Sequence, residues 1–175
     1  VAMKHLPPLA DWLQTPRARA ILLLWGLVLT VALSGIGTAI GEHYQFALNE
    51  TESLPNWAFI IDRHQLDPRR GQYFAFVAPP NRYYPAGFRF TKQIIGVPGD
   101  VVMVEGRRFL VNGRSAGLAK TTDHDGRPVE MSAPGTIPQG FYFVSTPNPD
   151  SLDSRYRVVG LIPKSRLVGR AFPVM

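Results

Sequence analysis

A single lysine, Lys92, stands among apolar residues in the stretch FRFTKQIIGVPGD, residues 88–100. If this stretch is a strand, Lys92 shares a face with Phe90 and Ile94, because alternate residues of a strand point the same way. Burial disfavours the charged form of an amine and lowers its pKa, which would allow the neutral amine to act as a base. Taken alone, however, Lys92 is better explained as an edge-strand lysine that reaches solvent.

A lysine base needs a nucleophile, and neutral amines activate hydroxyl groups in Ser-Lys sites. Ser53 is a candidate because it lies in the stretch NETESLPNWAF, directly before Leu54 and Pro55. Pro55 restricts Leu54 to an extended conformation, which would hold the serine in a fixed, exposed pose. The alternative is an ordinary loop serine.

Two other patterns suggest nucleophilic chemistry. The pattern GRSAG, residues 113–117, matches a nucleophile elbow, which needs a strand followed by a helix. No helical pattern follows it, so we interpret Ser115 as a turn residue. His64 and His124 have adjacent acids, but neighbours on a strand point to opposite faces, and neither histidine has the spacing of a metal site. A Ser-His-Asp triad with either histidine stays open.

The run from Ala20 to Ile40, AILLLWGLVLTVALSGIGTAI, carries no charge. At about 1.5 Å per residue, a helix of this length crosses a bilayer core of about 30 Å. Basic residues precede the run and acidic residues follow it, which predicts a cytoplasmic N-terminus. A cleaved signal peptide or a buried core helix is the alternative, but the run is long for a signal peptide and ends in bulky Ile40. We predict a cytoplasmic tail over residues 1–19 and a transmembrane anchor over residues 20–41.

Residues 42–175 are predicted to form a mainly β domain. Apolar runs of strand length alternate there with turn-forming segments, without a long helical period. The 16 glycines and 16 prolines of the chain also favour short strands and turns. We expect a coiled, barrel-like sheet in which residues 101–140 supply a hairpin turning at Glu105-Gly106 and a polar, exposed excursion over residues 120–135.

The composition excludes several classes of partner and chemistry. The net charge of +6 comes from basic residues scattered singly and in pairs, without a nucleic-acid module, so nucleic acid is not a predicted partner. An anionic membrane surface fits this charge better. The absence of cysteine excludes disulfides, metal-thiolate sites and a cysteine nucleophile.

Five stretches occur in an order typical of one enzyme family: TESLP, RRGQYFAF, KQIIGVPGD, IPQGFYFV and NPDSLDSRYRVVGLIPKSRLVGRAF. They resemble the serine box, the strand box, the lysine box, the final box and the strand after it in the type I signal peptidases. These are Ser-Lys serine peptidases of the bacterial inner membrane. The resemblance implies a signal-peptidase fold on a single anchor, with the catalytic domain in the periplasm. It also implies cleavage of signal peptides from exported precursors, without a cofactor.

The resemblance implies a role for each matched residue of the dyad. Ser53 is then the nucleophile, and Lys92 is the general base that later protonates the leaving amine. The hydroxyl of Thr51 would help to form the oxyanion hole together with the Ser53 N–H. Small substrate residues at −1 and −3 would enter shallow pockets beside a site strand.

Three further residues match supporting positions of the family. Ser151 would hydrogen-bond the lysine amine, and Asp153 and Arg155 would form an ion pair behind the site. Two departures stand out: Gln72 replaces the usual Asp of the strand box, and STPNPDS, residues 145–151, replaces the pattern G-D-N-x-x-x-S. This drift resembles the conjugative-transfer branch, which matures pilin precursors. The alternative is a catalytically degenerate, membrane-anchored β scaffold that binds secretion partners.

Ser53 follows the predicted anchor closely, 13 positions after Ile40. The site is therefore expected near the bilayer, with membrane lipid as a partner. Apolar residues around Trp57 and Phe59 are expected to enter the lipid interface.

Overall fold

The structure is a computed structural model, which describes residue 13, residues 15–49 and residues 53–174. It divides the chain into two compact units, residues 1–42 and residues 43–175. The predicted bounds of the tail and the anchor stay predictions.

Helix α1 is Pro16–His43. All of it except its last residue, His43, belongs to the N-terminal unit. Thr15 caps the first turn, since its Oγ1 accepts a hydrogen bond from the Ala18 N–H at 3.2 Å. Pro16 suits the first helical position because that position needs no N–H donor. By length and composition, α1 is able to cross a membrane.

The second unit consists mainly of β-strands, which confirms the predicted fold class. The strands, in chain order, are β1 (Tyr44–Leu48), β2 (Ala58–Asp62), β3 (Tyr73–Val77), β4 (Arg89–Gly96), β5 (Val101–Glu105), β6 (Arg108–Val111), β7 (Arg114–Leu118), β8 (Gly135–Thr136), β9 (Phe141–Ser145), β10 (Ile162–Pro163) and β11 (Leu167–Pro173). A short 3₁₀ helix, Lys164–Arg166, precedes β11.

The described strands form two antiparallel sheets. The larger sheet has the order β1-β2-β11-β3-β4-β9-β10, and the smaller has the order β7-β6-β5-β8. The predicted hairpin joins β5 to β6, but Glu105 pairs with Arg108, so its turn lies at Gly106-Arg107, one residue later than predicted. Gly106 has a φ of +61°, which glycine accepts readily at the first central position of a two-residue turn.

The core of the larger sheet follows the alternation of β4. Phe90 and Ile94 belong to one buried cluster, and the intervening Lys92 is buried on the same face. At the end of β4, a Cβ on Gly96 would lie 2.5 Å from Ile137 Cδ1. Glycine at this position therefore allows β4 to pack closely against the core of the smaller sheet, to which Ile137 belongs.

Two sequence-based expectations are wrong in detail. Ser115 lies within β7, not in a turn, because the preceding Asn112 and Gly113 already make the turn. Phe59 is 1% exposed and belongs to the core, so it is not available to lipid. Trp57, just before β2, is 52% exposed, in keeping with the expectation for that residue.

Candidate active site

Lys92 lies within β4 and is 4% exposed. Its Nζ lies 5.4 Å from the centre of the Phe90 ring and donates a hydrogen bond to Ser151 Oγ at 2.8 Å. Burial lowers the pKa of Lys92 to about 8; the Asp153 carboxylate opposes this shift, and the Arg155 guanidinium adds to it. About a tenth of such amines would be neutral at pH 7.

Ser53 lies in the loop between β1 and β2 and is buried. Asn49, directly after β1, holds this loop: its Nδ2 donates to the Leu54 and Asn56 carbonyls at 3.2 and 3.0 Å. The Leu54 side chain is anchored in the core. Thr51, the predicted oxyanion-hole residue, lies outside the described residues. Sequence reasoning missed Asn49, although asparagine at a strand end is a signal for such side-chain-to-backbone bonds.

Ser53 and Lys92 line the same cavity, which has a volume of about 720 Å³. Ala47 of β1 and Ala75 of β3 also line it. Because alanine side chains are short, these walls leave room for small substrate side chains and suit the expected shallow pockets. The cavity thus combines the Ser53 hydroxyl with the Lys92 amine, whose pKa is lowered.

Asp153 and Arg155 form a fully buried ion pair, at 0% and 1% exposure. Arg155 donates from Nε to Oδ1 and from Nη2 to Oδ2 of Asp153, both at 2.8 Å. The same guanidinium donates to the carbonyls of Leu118, Asn148 and Ser151 at 2.8, 3.1 and 3.2 Å. It therefore fixes the loop that carries Ser151, the hydrogen-bond partner of the lysine.

Small residues of β7 and β9 complete this network. A Cβ on Gly117 would lie 2.8 Å from Arg155 Nη1, so glycine provides the space that the guanidinium occupies. Ser145 donates from Oγ to the Ala116 carbonyl at 2.9 Å, and this Oγ lies 3.2 Å from Asp153 Oδ2. Sequence reasoning missed the contact of Ser145, because a single serine at a strand end has no distinguishing pattern.

The structure explains one of the two departures from the family pattern named above, Gln72, and leaves the other, the STPNPDS loop, without an explanation. Gln72 accepts a hydrogen bond from the Arg69 N–H at 3.0 Å and closes the turn before β3. The neighbouring Arg70 binds both oxygens of Asp100 at 2.6 Å, which ties this turn to the one after β4. Thr146 is buried, and its Oγ1 has no hydrogen-bond partner among the described residues; nothing in the structure explains this arrangement.

The histidine alternative receives only partial geometric support. His124 is among the residues that line the cavity of Ser53, and His64 is not. The carboxylate beside His124, that of Asp123, accepts hydrogen bonds from Arg82 Nη2 and Tyr83 Oη, both at 3.1 Å. These contacts engage Asp123 with partners other than a histidine.

Comparison with known proteins identifies the family. The family described as "Signal peptidase, peptidase S26" matches residues 18–175. The chain therefore belongs to the signal peptidase family, as the sequence resemblance predicted.

Some relatives are named conjugal transfer proteins, and others are named signal peptidases. "Conjugal transfer protein TraF" of Agrobacterium fabrum is 30% identical over 89% of this chain and 96% of its own length. "Probable signal peptidase I-2" of Synechocystis is 30% identical over 97% of this chain and 75% of its own length. A solved signal peptidase I from Enterococcus faecalis is 26% identical and covers 59% of this chain and 96% of that chain, with a TM-score of 0.39.

Proposed function

We propose that this chain is a serine endopeptidase that removes signal peptides from exported precursors with a dyad of Ser53 and Lys92. The observation that carries the proposal is the Lys92 amine, buried and with a pKa lowered to about 8, in the cavity that Ser53 also lines. Membership in the signal peptidase family supports the same class of reaction.

In the proposed reaction, the neutral amine of Lys92 takes the proton of the Ser53 hydroxyl as the oxygen attacks the scissile carbonyl. The resulting ammonium gives this proton to the leaving amine, and an acyl-enzyme forms. Lys92 then deprotonates the water that hydrolyses the acyl-enzyme. Ser151 keeps the amine in place through its 2.8 Å hydrogen bond, and Thr51 assists the oxyanion. The reaction needs no cofactor.

The substrate that we propose is a pilin precursor of a conjugative transfer system. Similar proteins from Agrobacterium fabrum and Sinorhizobium fredii are named conjugal transfer proteins, each about 30% identical to this chain. The alanines that line the cavity favour small residues at −1 and −3 of such a precursor.

We further propose that α1 anchors the protein in the bacterial inner membrane, with a cytoplasmic N-terminus and a periplasmic catalytic domain. The length and composition of α1 support the anchor, and the basic residues before it support the orientation. Exposed Phe46 and Ile60 pair across β1 and β2, and Ile60 also pairs with half-buried Phe172 of β11. This apolar row and Trp57 support contact with membrane lipid.

The dyad is tested with the full-length protein in detergent and a synthetic precursor, with the products identified by mass spectrometry. Ser53→Ala and Lys92→Ala are each expected to reduce cleavage by at least about a hundredfold. Lys92→Arg is expected to fail as well, because guanidinium stays charged. Ser115→Ala is the matched control and should cleave normally. Normal processing by either dyad variant would refute the assignment.

Two further results separate this proposal from its alternatives. His124→Ala should retain cleavage, whereas loss of activity in a folded His124 variant would favour a histidine base. A serine-directed acylating probe should label the wild-type protein at Ser53 and leave Ser53→Ala unlabelled. A degenerate scaffold would be unlabelled in both forms.

A further inference from the structure

A second cavity of about 800 Å³ adjoins the cavity of the dyad. Four residues line both cavities, and we call them the shared wall: Tyr84, His124, Asp150 and Leu152. The two spaces are therefore neighbours on one surface of the β domain. The proposed acyl transfer uses only the first of them.

Apolar and aromatic residues provide about half of the lining of the second cavity, and its two basic residues have partners: Arg107 donates to the Ala119 carbonyl, and Lys120 forms an ion pair with Asp150. Its residues beyond the shared wall include Tyr83, Leu118, Ala119, Val129 and Tyr156. Burial of a large apolar side chain against such a lining is favourable by the hydrophobic effect. The cavity therefore suits a bulky apolar or aromatic group better than a charged one.

The outer side of this cavity is built by the polar excursion, and hydrogen bonds hold that excursion in place. Thr121, Thr122 and Asp123 line the cavity. The Asp123 carboxylate accepts hydrogen bonds from Tyr83 Oη and Arg82 Nη2 and, at its other oxygen, from two N–H groups of its own loop. The cavity is thus formed before a ligand arrives.

The chemistry of acyl transfer indicates on which side of the first cavity the leaving part of a substrate lies. Lys92 must reach the amine that leaves when the acyl-enzyme forms, so the leaving part of the substrate lies on the side of the lysine Nζ. Ser151 holds that Nζ at 2.8 Å, and its sequence neighbours Asp150 and Leu152 both belong to the shared wall. A chain that leaves past Ser151 therefore runs along the shared wall, which also lines the second cavity.

We propose that the second cavity binds the segment of the precursor that follows the scissile bond, and that it selects a bulky apolar or aromatic side chain there. This inference rests on the proposed function and deepens it. An extended segment advances about 3.3 Å per residue and turns alternate side chains the same way. The selected side chain is therefore expected at one of the positions 2′ to 4′.

The test uses the full-length protein and peptides that are identical up to the scissile bond. Phe, Leu, Gly or Asp is placed in turn at each position from 1′ to 4′, and kcat/KM is measured for each peptide. We expect Phe and Leu to exceed Gly and Asp by about tenfold at one position from 2′ to 4′. Equal values within twofold at all four positions would overturn the inference.

A cavity-filling variant supplies the second arm. Thr121 is exposed and lines the second cavity, so Thr121→Trp is expected to remove the preference, with kcat/KM for the Phe and Leu peptides falling to within twofold of that for the glycine peptides. Ser115→Trp, on an exposed β7 position outside the cavity lining, is the matched control and should keep the preference. An unchanged preference in Thr121→Trp would also overturn the inference.

Failure of the inference is distinguishable from failure of the proposed function. If the cavity is not a subsite, peptides are cleaved and Ser53 is labelled by the acylating probe, but side chains after the scissile bond have no effect. If the protein is not a peptidase, no peptide is cleaved and Ser53 stays unlabelled, which overturns both proposals.

Discussion

Among the described residues, Lys92 and Arg155 are two buried cations near the candidate site, and their hydrogen-bond partners differ. Arg155 is surrounded by acceptors: both oxygens of Asp153 and three backbone carbonyls. Lys92 is equally buried but donates to the neutral hydroxyl of Ser151 and lies beside the Phe90 ring. Both residues are more than nine-tenths buried, so burial alone does not explain the difference.

The difference lies in the partners. A buried cation that is matched by a carboxylate and further acceptors can stay charged, whereas one with a neutral partner tends to lose its proton. Arg155 therefore supports structure through its charge, whereas Lys92 has a neutral hydrogen-bond partner and, within the part of the chain that the structure describes, forms no ion pair with a carboxylate. The Asp153 carboxylate raises the pKa of Lys92, but this effect is smaller than the lowering by burial.

The largest effect is expected from breaking the matched pair. Arg155→Met leaves the Asp153 carboxylate buried without its counter-ion, and it also removes the hydrogen bonds to the carbonyls of Leu118, Asn148 and Ser151. We expect a loss of about 3–5 kcal/mol in the free energy of unfolding, measured by urea denaturation in detergent. The double variant Asp153→Leu/Arg155→Met should recover much of this loss. A single variant within 1 kcal/mol of wild type would contradict the account.

Replacing Lys92 should raise the free energy of unfolding, which is the opposite of the effect expected at Arg155. The pKa of Lys92 falls from 10.5 to about 8 on folding, so at pH 7 the buried ammonium costs up to about 3 kcal/mol. Lys92→Met removes this cost, minus about 1 kcal/mol for the lost hydrogen bond. We expect a variant that is inactive yet more stable than wild type in the same urea measurement.

The pH dependence of this gain gives its control. The unfolded wild-type chain binds the extra proton between pH 8 and 10.5, so wild-type stability rises through that window and the advantage of Lys92→Met shrinks. An advantage that is constant from pH 7 to pH 10 would show that deprotonation is not its cause.

The pH dependence of the cleavage rate should show whether neutral Lys92 acts as the base. If neutral Lys92 is the base, kcat/KM falls about tenfold for each pH unit below 8 and levels off above it. The measurement uses a substrate without ionisable side chains, and circular dichroism checks the fold across the range. A midpoint near 6.5 would instead indicate a histidine base.

The smallest effect is expected at the partner of the lysine. Ser151→Ala removes a hydrogen bond to Lys92 Nζ, which is worth about 1 kcal/mol, so we expect a decrease of about fivefold in kcat with little change in KM. Ser115→Ala serves as the control, and Ser151→Thr, which keeps the hydroxyl, should restore part of the rate. A change confined to KM would argue against a role in holding the amine.

Much of the fold follows from local sequence patterns. The alternation correctly predicted that Lys92 shares a face of β4 with Phe90 and Ile94, and the run of short apolar segments predicted the mainly β class. The simpler interpretation of Lys92 as an edge-strand lysine that reaches solvent is wrong, because β4 lies between β3 and β9 and Lys92 is buried. The family resemblance selected Ser53, Ser151, Asp153 and Arg155 as candidate site residues. The structure brings several of them into contact: Lys92 binds Ser151, and Arg155 binds Asp153 and the Ser151 carbonyl. Their catalytic roles stay predictions.

Features that depend on tertiary packing were beyond the sequence patterns. Asn49 holds the Ser53 loop through carbonyls five and seven positions away, and Ser145 contacts a carbonyl of β7. The sequence suggested that Phe59 faces lipid beside Trp57, but which face of β2 is covered depends on tertiary packing, here on a cluster that includes Leu54 and Ala171. The second cavity is lined by the excursion together with Leu118 and Tyr156, which are distant in sequence and which no short motif brings together.

The position of β11 governs the order in which this domain can assemble. Among the described strands it is the last in the chain, yet it lies between β2 and β3 and pairs with both. The serine loop follows β1 on one side of that junction, and the lysine belongs to β4 on the other. The loop that carries Ser53 and the strand that carries Lys92 can therefore reach their final spacing only after residues 167–173 have been synthesised and have inserted between β2 and β3.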